Sequence, residues 1–307
     1  MFVSYKLEGN VVLKNFSRRT FLKTALLSAS AGALNPACSK MDKGASGNKS
    51  ELHLGIVTYN IAKDWDIDTI IKNCIVTKYE GVELRTTHAH KVEVDLTPEQ
   101  RTEVKKKFED SPIKLLSLGS TFEYHSDDPE VLRKNIEGTK EYIILARDVG
   151  AKGVKVRPNG LMTNKGIPEE KTLEQIGKSL KEVGEFAKGY GVDIRLEVHG
   201  NETSRVPRIK KIIDFADCDN VFVNWNCNPT DLEDGGIESN FNLVKSKINF
   251  VHLHELTDEK YPFRKFFRML VDSGYKGYCC AEIAESTDPI RVLTYFRALF
   301  LAYQNII

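Results

Sequence analysis

The sequence has 307 residues, of which 41% are hydrophobic and 28% are charged, as in an ordinary soluble globular protein. Lysine and arginine number 44 against 43 aspartate and glutamate, so the formal net charge is +1. Such a balance gives no basic face for DNA or RNA, and we expect no nucleic-acid partner. It also argues against membrane binding by the folded domain. The length permits two domains or one barrel of about 250 residues, and the oligomeric state is left open.

Residues 1–38 are predicted to be an export segment rather than part of the fold. Arg18 and Arg19 precede a short apolar stretch, which is too short for a permanent transmembrane helix. The pair resembles the twin-arginine export signal of bacteria, so we expect a periplasmic protein. Cys38 is a candidate for lipid attachment, which would be the only contact with a membrane; "NPAC" departs from the usual lipoprotein pattern, and this alternative stays open. Residues 39–51 are polar and predicted to be a linker.

The six cysteines are not expected to define the fold. An exported protein can form disulfides, but the cysteine spacing matches no metal motif, and a domain of this size does not need crosslinks. Cys279 and Cys280 lie within an apolar strand pattern, which favours small buried side chains over reactive thiols.

From residue 52 onward, short β-branched apolar runs alternate with segments of helical periodicity. The strands are predicted at 53–58, 80–84, 113–118, 153–157, 193–198, 221–225, 248–253 and 278–283. The helices are predicted near 66–78, 98–110, 129–149, 169–190, 206–216, 237–246, 262–273 and 287–305. Several helices have clear boundary signals, such as Thr97-Pro98 and Asp128-Pro129 at helix starts.

Strands that alternate with helices pair in parallel through right-handed crossovers. Eight such units over residues 52–307 predict a single-domain α/β protein with a closed (β/α)8 TIM barrel. The competing topology is an open, doubly wound sheet. That fold favours a glycine-rich turn after its first strand, and "GIVTYNIAKDW" contains none.

Polar residues recur at the carboxyl ends of the predicted strands, where the active site of such a barrel lies. Four successive strands end with Glu197, Asn226, His252 and Glu282. Two carboxylates, an imidazole and an amide oxygen suit one divalent ion, such as Mn²⁺, Mg²⁺, Co²⁺ or Zn²⁺. The alternative is an ion-pair network without a metal, in which His252 is simply hydrogen-bonded.

These residues lie in motifs that resemble the xylose-isomerase-like barrel family, which includes sugar isomerases, ketose epimerases, inosose dehydratases and endonuclease IV-type enzymes. The motifs are "GVELR", "IRLEVHG", "VNWNCNPTDL", "FVHLHEL" and "GYKGYCCAEI". The resemblance extends over residues 52–305 and implies Glu197, His252 and Glu282 as metal ligands. The family usually has an aspartate where this chain has Asn226, which predicts weaker metal binding; Asn228 is an alternative ligand. The endonuclease branch is disfavoured because it needs further histidine and aspartate ligands.

The resemblance to ketose epimerases implies that Glu197 and Glu282 also act as base and acid. His199 and His254 are candidates for proton relay or for holding hydroxyl groups, with packing around the site as the alternative. The candidate substrate-binding residues lie in or just after the second and fourth strands, and they are Glu83, His88, His90, Lys155 and Arg157. For Lys155 and Arg157 the alternative is a salt bridge.

A divalent ion at the mouth of such a barrel can stabilise an enediolate formed by removal of a proton next to a sugar carbonyl. An exported enzyme would meet free or glycosidically linked sugars rather than sugar phosphates. The first hypothesis is therefore a lyase or hydratase that acts on 3-keto-glycosides. A sugar isomerase or epimerase is the alternative, and a non-catalytic carbohydrate-binding barrel is the third hypothesis.

Overall fold

The computed structural model describes residues 52–305, which form a closed barrel of eight parallel strands in the order β1 to β8. The strands are β1 His53–Val57, β2 Gly81–Arg85, β3 Lys114–Glu123, β4 Gly153–Arg157, β5 Asp193–Glu197, β6 Val221–Trp225, β7 Ile248–Leu253 and β8 Tyr278–Ala281. The helices are α1 Ile67–Thr77, α2 Pro98–Glu109, α3 Pro129–Val149, α4 Glu169–Lys188, α5 Val206–Ala216, α6 Gly236–Val244, α7 Phe263–Asp272 and α8 Pro289–Tyr303. The (β/α)8 TIM barrel predicted from the sequence is therefore confirmed.

The helix boundaries follow the signals in the sequence. Thr97 accepts a hydrogen bond from the backbone of Gln100, whose side chain bonds back to the Thr97 backbone in a capping box. The side chain of Asp128 caps α3 by accepting hydrogen bonds from the backbones of Glu130 and Val131. Gly150 ends α3 at a φ of 85°, in the left-handed region that glycine adopts without steric cost.

The strand pattern divides the apolar side chains between two cores. One set, including Leu196, packs in the large core that also contains the buried helix faces. The alternating set lies inside the barrel, where Val57, Leu116, Phe250 and Cys280 form a separate cluster. Because successive side chains of a strand point to opposite faces, the polar residues in this second set are held inside the barrel.

Strand β3 is longer than the predicted 113–118. Its pairing with β4 shifts register between Gly119 and Glu123, after which Glu123 lies opposite Arg157. The side chains of these two residues form an ion pair of 3.1 Å. The extension therefore follows from a contact between strands, which the local sequence pattern does not contain.

Other predictions concern the cysteines and the first 51 residues. Within residues 52–305 all five cysteines are buried and free, as expected for Cys279 and Cys280. No helix in that range is long and apolar enough to cross a bilayer. The predicted export segment at 1–38, the linker at 39–51 and the candidate lipid site Cys38 lie outside the described residues.

The segment between β6 and α6 contains a buried carboxyl group, that of Asp231, which takes part in a chain of hydrogen bonds. Asp231 is completely buried, and its Oδ2 accepts a hydrogen bond of 2.8 Å from the hydroxyl of Tyr261. That hydroxyl accepts a bond of 2.9 Å from the indole of Trp225. Burial raises the pKa of Asp231 to about 7, although the Tyr261 hydrogen bond acts in the opposite direction.

The raised pKa of Asp231 predicts a loss of stability as the pH rises. The folded protein binds the Asp231 proton more tightly than the unfolded chain, whose carboxyl titrates near 3.8. This contribution is complete below about pH 4 and is lost as the pH rises through about 7, with an upper limit of ~4 kcal/mol. Between pH 5 and pH 8, the free energy of unfolding in urea should therefore fall more for the wild type than for Asp231→Asn. Equal decreases in the two proteins would contradict this assignment.

Candidate functional site

The predicted site residues come from strands on several sides of the barrel. Glu197 is the last residue of β5, His252 lies one position before the end of β7, and Glu282 directly follows β8. Leu196 and Val198 flank Glu197 in the sequence and pack in the outer core. The alternation of the strand therefore directs Glu197 into the barrel.

The centre of the site is the imidazole of His252, which is completely buried. Its Nδ1 lies 3.1 Å from Oε1 of Glu197 and 3.3 Å from Oε2 of Glu282. Its Nε2 lies 3.1 Å from Oε1 of Glu83. One ligand atom from each of Glu197, His252 and Glu282 lies within 4.8 Å of the other two. The structure therefore brings together the three residues predicted to surround a cation.

Lys155 is part of the same cluster. Its Nζ lies 2.7 Å from Oε2 of Glu197, and the two side chains are only 7% and 2% exposed. Arg157, two residues further along β4, pairs instead with Glu123 and donates to the carbonyl of Thr121. For both Lys155 and Arg157, the structure shows the salt bridge that was the alternative to substrate binding.

The charges of the cluster change the protonation of its members. Burial would raise the pKa of Glu197, but Lys155 and His252 lower it to about 2. Burial would also raise the pKa of Glu282, which the charge of His252 holds well below its usual value. Burial alone would lower the pKa of His252, whereas Glu282 and Glu83 raise it well above the usual value. In the absence of a metal, the imidazolium is thus the cation that these carboxylates share.

Three asparagines follow one another at alternate positions from the end of β6. Asn224 is buried, and its Nδ2 lies 3.1 Å from Nε2 and 3.3 Å from Nδ1 of His252. Asn226, the predicted fourth ligand, is also buried, and its Oδ1 has no hydrogen-bond partner among the described residues. Asn228 donates through Nδ2 to the carbonyl of Val198 at 2.5 Å. The structure therefore identifies Asn224, which was not among the predicted site residues, as an amide in contact with His252.

The two histidines predicted to relay protons lie at different depths. Nδ1 of His199 lies 2.7 Å from Oδ1 of Asn159, and burial lowers the pKa of this imidazole. His254 is 41% exposed, and its Nε2 lies 3.7 Å from Oε2 of Glu282. His254 is thus accessible beside one of the central carboxylates.

The two histidines after β2 lie in different environments. His88 is half-buried, its Nδ1 lies 2.9 Å from Oγ1 of Thr58, and burial together with Arg85 lowers its pKa to about 4. His90 is buried; its Nε2 lies 2.8 Å from the carbonyl of Arg85, and its Nδ1 accepts from the backbone of Val92. Both ring nitrogens of His90 thus bond to the backbone of this loop, and its contact with a substrate stays a prediction.

Tyr59 is a second residue that the predicted site omitted. It follows β1, is 41% exposed, and stacks on His88 with ring centroids 6.2 Å apart. The guanidinium of Arg85 lies 5.4 Å from the Tyr59 ring centroid. An exposed tyrosine of this kind offers an apolar face and a hydroxyl to a sugar. Its only signal in the sequence was its position after a strand.

Residues 73–297 match the family model described as xylose isomerase-like TIM barrel. This match includes most of the chain and all of the central cluster. The chain belongs to the xylose isomerase-like TIM barrel family. No curated protein sequence matches it.

Several solved structures resemble the barrel at low sequence identity. The 3-keto-D-glucoside 4-epimerase from E. coli, in its apo form, is 14% identical with a TM-score of 0.69, over 82% of this chain and 100% of the enzyme. An L-ribulose 3-epimerase is 18% identical with a TM-score of 0.70, over 83% and 95%. The IOLI protein, solved with a zinc atom, is 18% identical with a TM-score of 0.68, over 82% and 99%. These similarities show the shared fold.

The residues of the cluster suit a divalent metal ion. Glu197, His252 and Glu282 supply two carboxylates and an imidazole at close range, which is a reasonable donor set for Mn²⁺, Co²⁺ or Zn²⁺. Buried oxygens of Asn224 and Asn226 accept no hydrogen bond from any residue in 52–305. Buried polar oxygens are costly without a partner, and a cation or a bound hydroxyl group would satisfy them.

Replacement of Asn224 by aspartate should strengthen metal binding. A carboxylate in contact with His252 adds one negative charge beside the cation, and the dissociation constant should fall about tenfold or more. Competition with a chromophoric chelator, using Mn²⁺ and Zn²⁺, measures this effect. Asn226→Asp is the matched control and should give a smaller gain. A larger gain for Asn226→Asp would instead support the ligand predicted from the sequence.

Proposed function

We propose that this protein is a metal-dependent carbohydrate enzyme that moves a proton at the carbon next to a sugar carbonyl, as an epimerase or isomerase does. The observation that carries the proposal is the close approach of Glu197 and Glu282 to the same nitrogen of His252. Glu197, His252 and Glu282 would hold the metal. When bound, a divalent ion acts as a Lewis acid toward the sugar carbonyl.

The two glutamates are suited to different tasks. Glu197 is 2% exposed and is held by Lys155, so its carboxylate is fixed in one position. Glu282 is 16% exposed and lies nearer to solvent, with His254 at its side. We therefore assign Oε2 of Glu282 as the base that takes the proton from the sugar carbon. Return of a proton to the opposite face of that carbon, with Glu197 as the acid that the family resemblance implies, completes an epimerisation.

Other groups near the strand ends are suited to holding a sugar. The exposed ring of Tyr59 and the imidazole of His88 lie together after β1 and β2. His199, held by Asn159, lies after β5. These groups combine aromatic faces with hydrogen-bond donors and acceptors, a combination that suits a polyhydroxylated ring.

Elimination from a 3-keto-glycoside is a second candidate reaction, and the position of His254 favours it. The base takes the proton at C2, the C1–oxygen bond breaks, and a double bond forms between C1 and C2. The departing oxygen then needs a proton, and the accessible imidazole beside Glu282 is placed to donate one. The similarity in fold to an enzyme described as a 3-keto-D-glucoside 4-epimerase lends support to this substrate class.

The location of the enzyme is also a proposal. The twin-arginine-like segment at 1–38 supports export to the periplasm, where free and glycosidically linked sugars are the expected substrates. The candidate lipid site at Cys38 would add an anchor at the membrane.

Solvent deuterium exchange tests the proposed reaction. The metal-loaded wild type, incubated in D₂O with a ketose or a 3-keto-glucoside, should incorporate deuterium next to the carbonyl, as detected by NMR. Glu282→Gln should slow this exchange about 10²–10⁴-fold, because a general base is lost. The matched control is Glu285→Gln, since Glu285 is 67% exposed and pairs with Lys63. It should retain the wild-type rate.

The products distinguish the candidate reactions. An epimerase exchanges the proton and releases no group, whereas a lyase releases the aglycone and leaves an enone that absorbs in the ultraviolet. If the metal-loaded protein catalyses neither reaction yet is stabilised by sugar, the third hypothesis, a non-catalytic carbohydrate-binding barrel, replaces the proposal.

A further inference from the structure

Glu83 is a buried carboxylate that has no role in the proposed reaction. It lies in β2 between Val82 and Leu84, which pack in the outer core, and it is itself completely buried inside the barrel. Its Oε1 approaches His252, which belongs to β7 and is separated from β2 by β8 and β1 in the sheet order. Its Oε2 accepts no hydrogen bond from the described part of the chain. The predicted role in substrate binding does not explain a side chain with no exposed surface.

The two nitrogens of His252 face different carboxylates, while the amide of Asn224 lies 3.1 Å from Nε2 and 3.3 Å from Nδ1. Nδ1 faces Glu197 and Glu282, the other two candidate ligands, whereas Nε2 faces Glu83 at 3.1 Å. The rings of His252 and Phe250 form a T-shaped pair, with centroids 5.7 Å apart and an interplanar angle of 76°. A neutral imidazole binds a metal through one nitrogen while the other carries the proton, and a hydrogen-bond acceptor on the second nitrogen fixes this choice.

We propose that Glu83 is a positioning residue that keeps the proton on Nε2 of His252 and so presents Nδ1 to the metal. The inference rests on the proposed metal-dependent function. It assigns Glu83 a task without direct contact with the sugar.

Gly119 supports this assignment independently. A Cβ at this position would lie 2.9 Å from Oε1 of Glu83, closer than real Cβ contacts allow. The backbone of Gly119 is outside the left-handed region, so its conformation does not itself require glycine. The absence of a side chain at 119 therefore leaves the space in which the Glu83 carboxylate reaches His252.

The charge of Glu83 also completes the site. β6 contributes the amide of Asn224 near His252, where an aspartate would have added a negative charge. The carboxylates of Glu83, Glu197 and Glu282, together with the ammonium group of Lys155, leave two negative charges around a neutral imidazole. This balance matches one divalent cation.

Zinc affinity tests the proposal with a readout other than activity. The full-length Glu83→Gln variant should bind Zn²⁺ about 10–100-fold more weakly than the wild type, the usual effect of losing such a partner of a ligating histidine. Glu80→Gln, next to the amino end of the same strand, removes an exposed carboxylate that pairs with His53 and should bind as the wild type does. Unchanged affinity in Glu83→Gln would overturn the proposal. Failure of the wild type to bind any divalent metal would instead overturn the proposed function.

The tautomer of His252 tests the same proposal directly. In the zinc-loaded wild type labelled with ¹⁵N-histidine, NMR should show the proton of His252 on Nε2, with the signal assigned by its loss in His252→Gln. A proton on Nδ1 would overturn the assignment, and this measurement needs no folded Glu83 variant.

Discussion

The structure of the site depends on the burial of several carboxylates around one imidazole. Glu83 and Glu197 are almost fully removed from water, and an isolated carboxylate in such a place would be strongly destabilising. His252 lies within 3.3 Å of oxygens from these two residues and from Glu282, while Lys155 neutralises the far oxygen of Glu197. The negative charge of the carboxylates is therefore stable only while cations lie among them. A bound metal would replace the extra proton of the imidazole as one of these cations.

Residues inside the barrel that are not candidate ligands pack against this cluster and restrain it. The guanidinium of Arg195 donates to the carbonyl of Leu116 and lies 4.4 Å from the ring centroid of Phe250, which in turn packs against His252. A rigid aromatic ring on one side and hydrogen bonds at both nitrogens leave the imidazole little freedom. Such restraint suits a ligand that must keep one orientation whether or not the cation is bound.

Sequence reasoning predicted the eight strand–helix units because strand alternation, helix caps and C-terminal glycines are local signals. It also predicted Glu197, His252 and Glu282, since parallel strands end at one mouth. It predicted Asn226, with Asn228 as the alternative, and did not propose Asn224, although the three lie at alternate positions. Their depth depends on the register between β6 and β7, which shifts between Val223 and Asn224. The structural role of His90 was also hidden, since its backbone partners are fixed only by the folded loop.

Glu197 and Glu282 are the same type of residue, and their different surroundings give them different roles. A carboxylate bound to a buried lysine loses mobility, and this makes Glu197 a fixed ligand. Within residues 52–305 Glu282 has no lysine in an ion pair with it; it retains contact with solvent and has the exposed imidazole of His254 at 3.7 Å. A base that must meet a substrate and then exchange its proton needs access of this kind. The asymmetry therefore comes from the neighbours of each glutamate, and Lys155 is the residue that creates it.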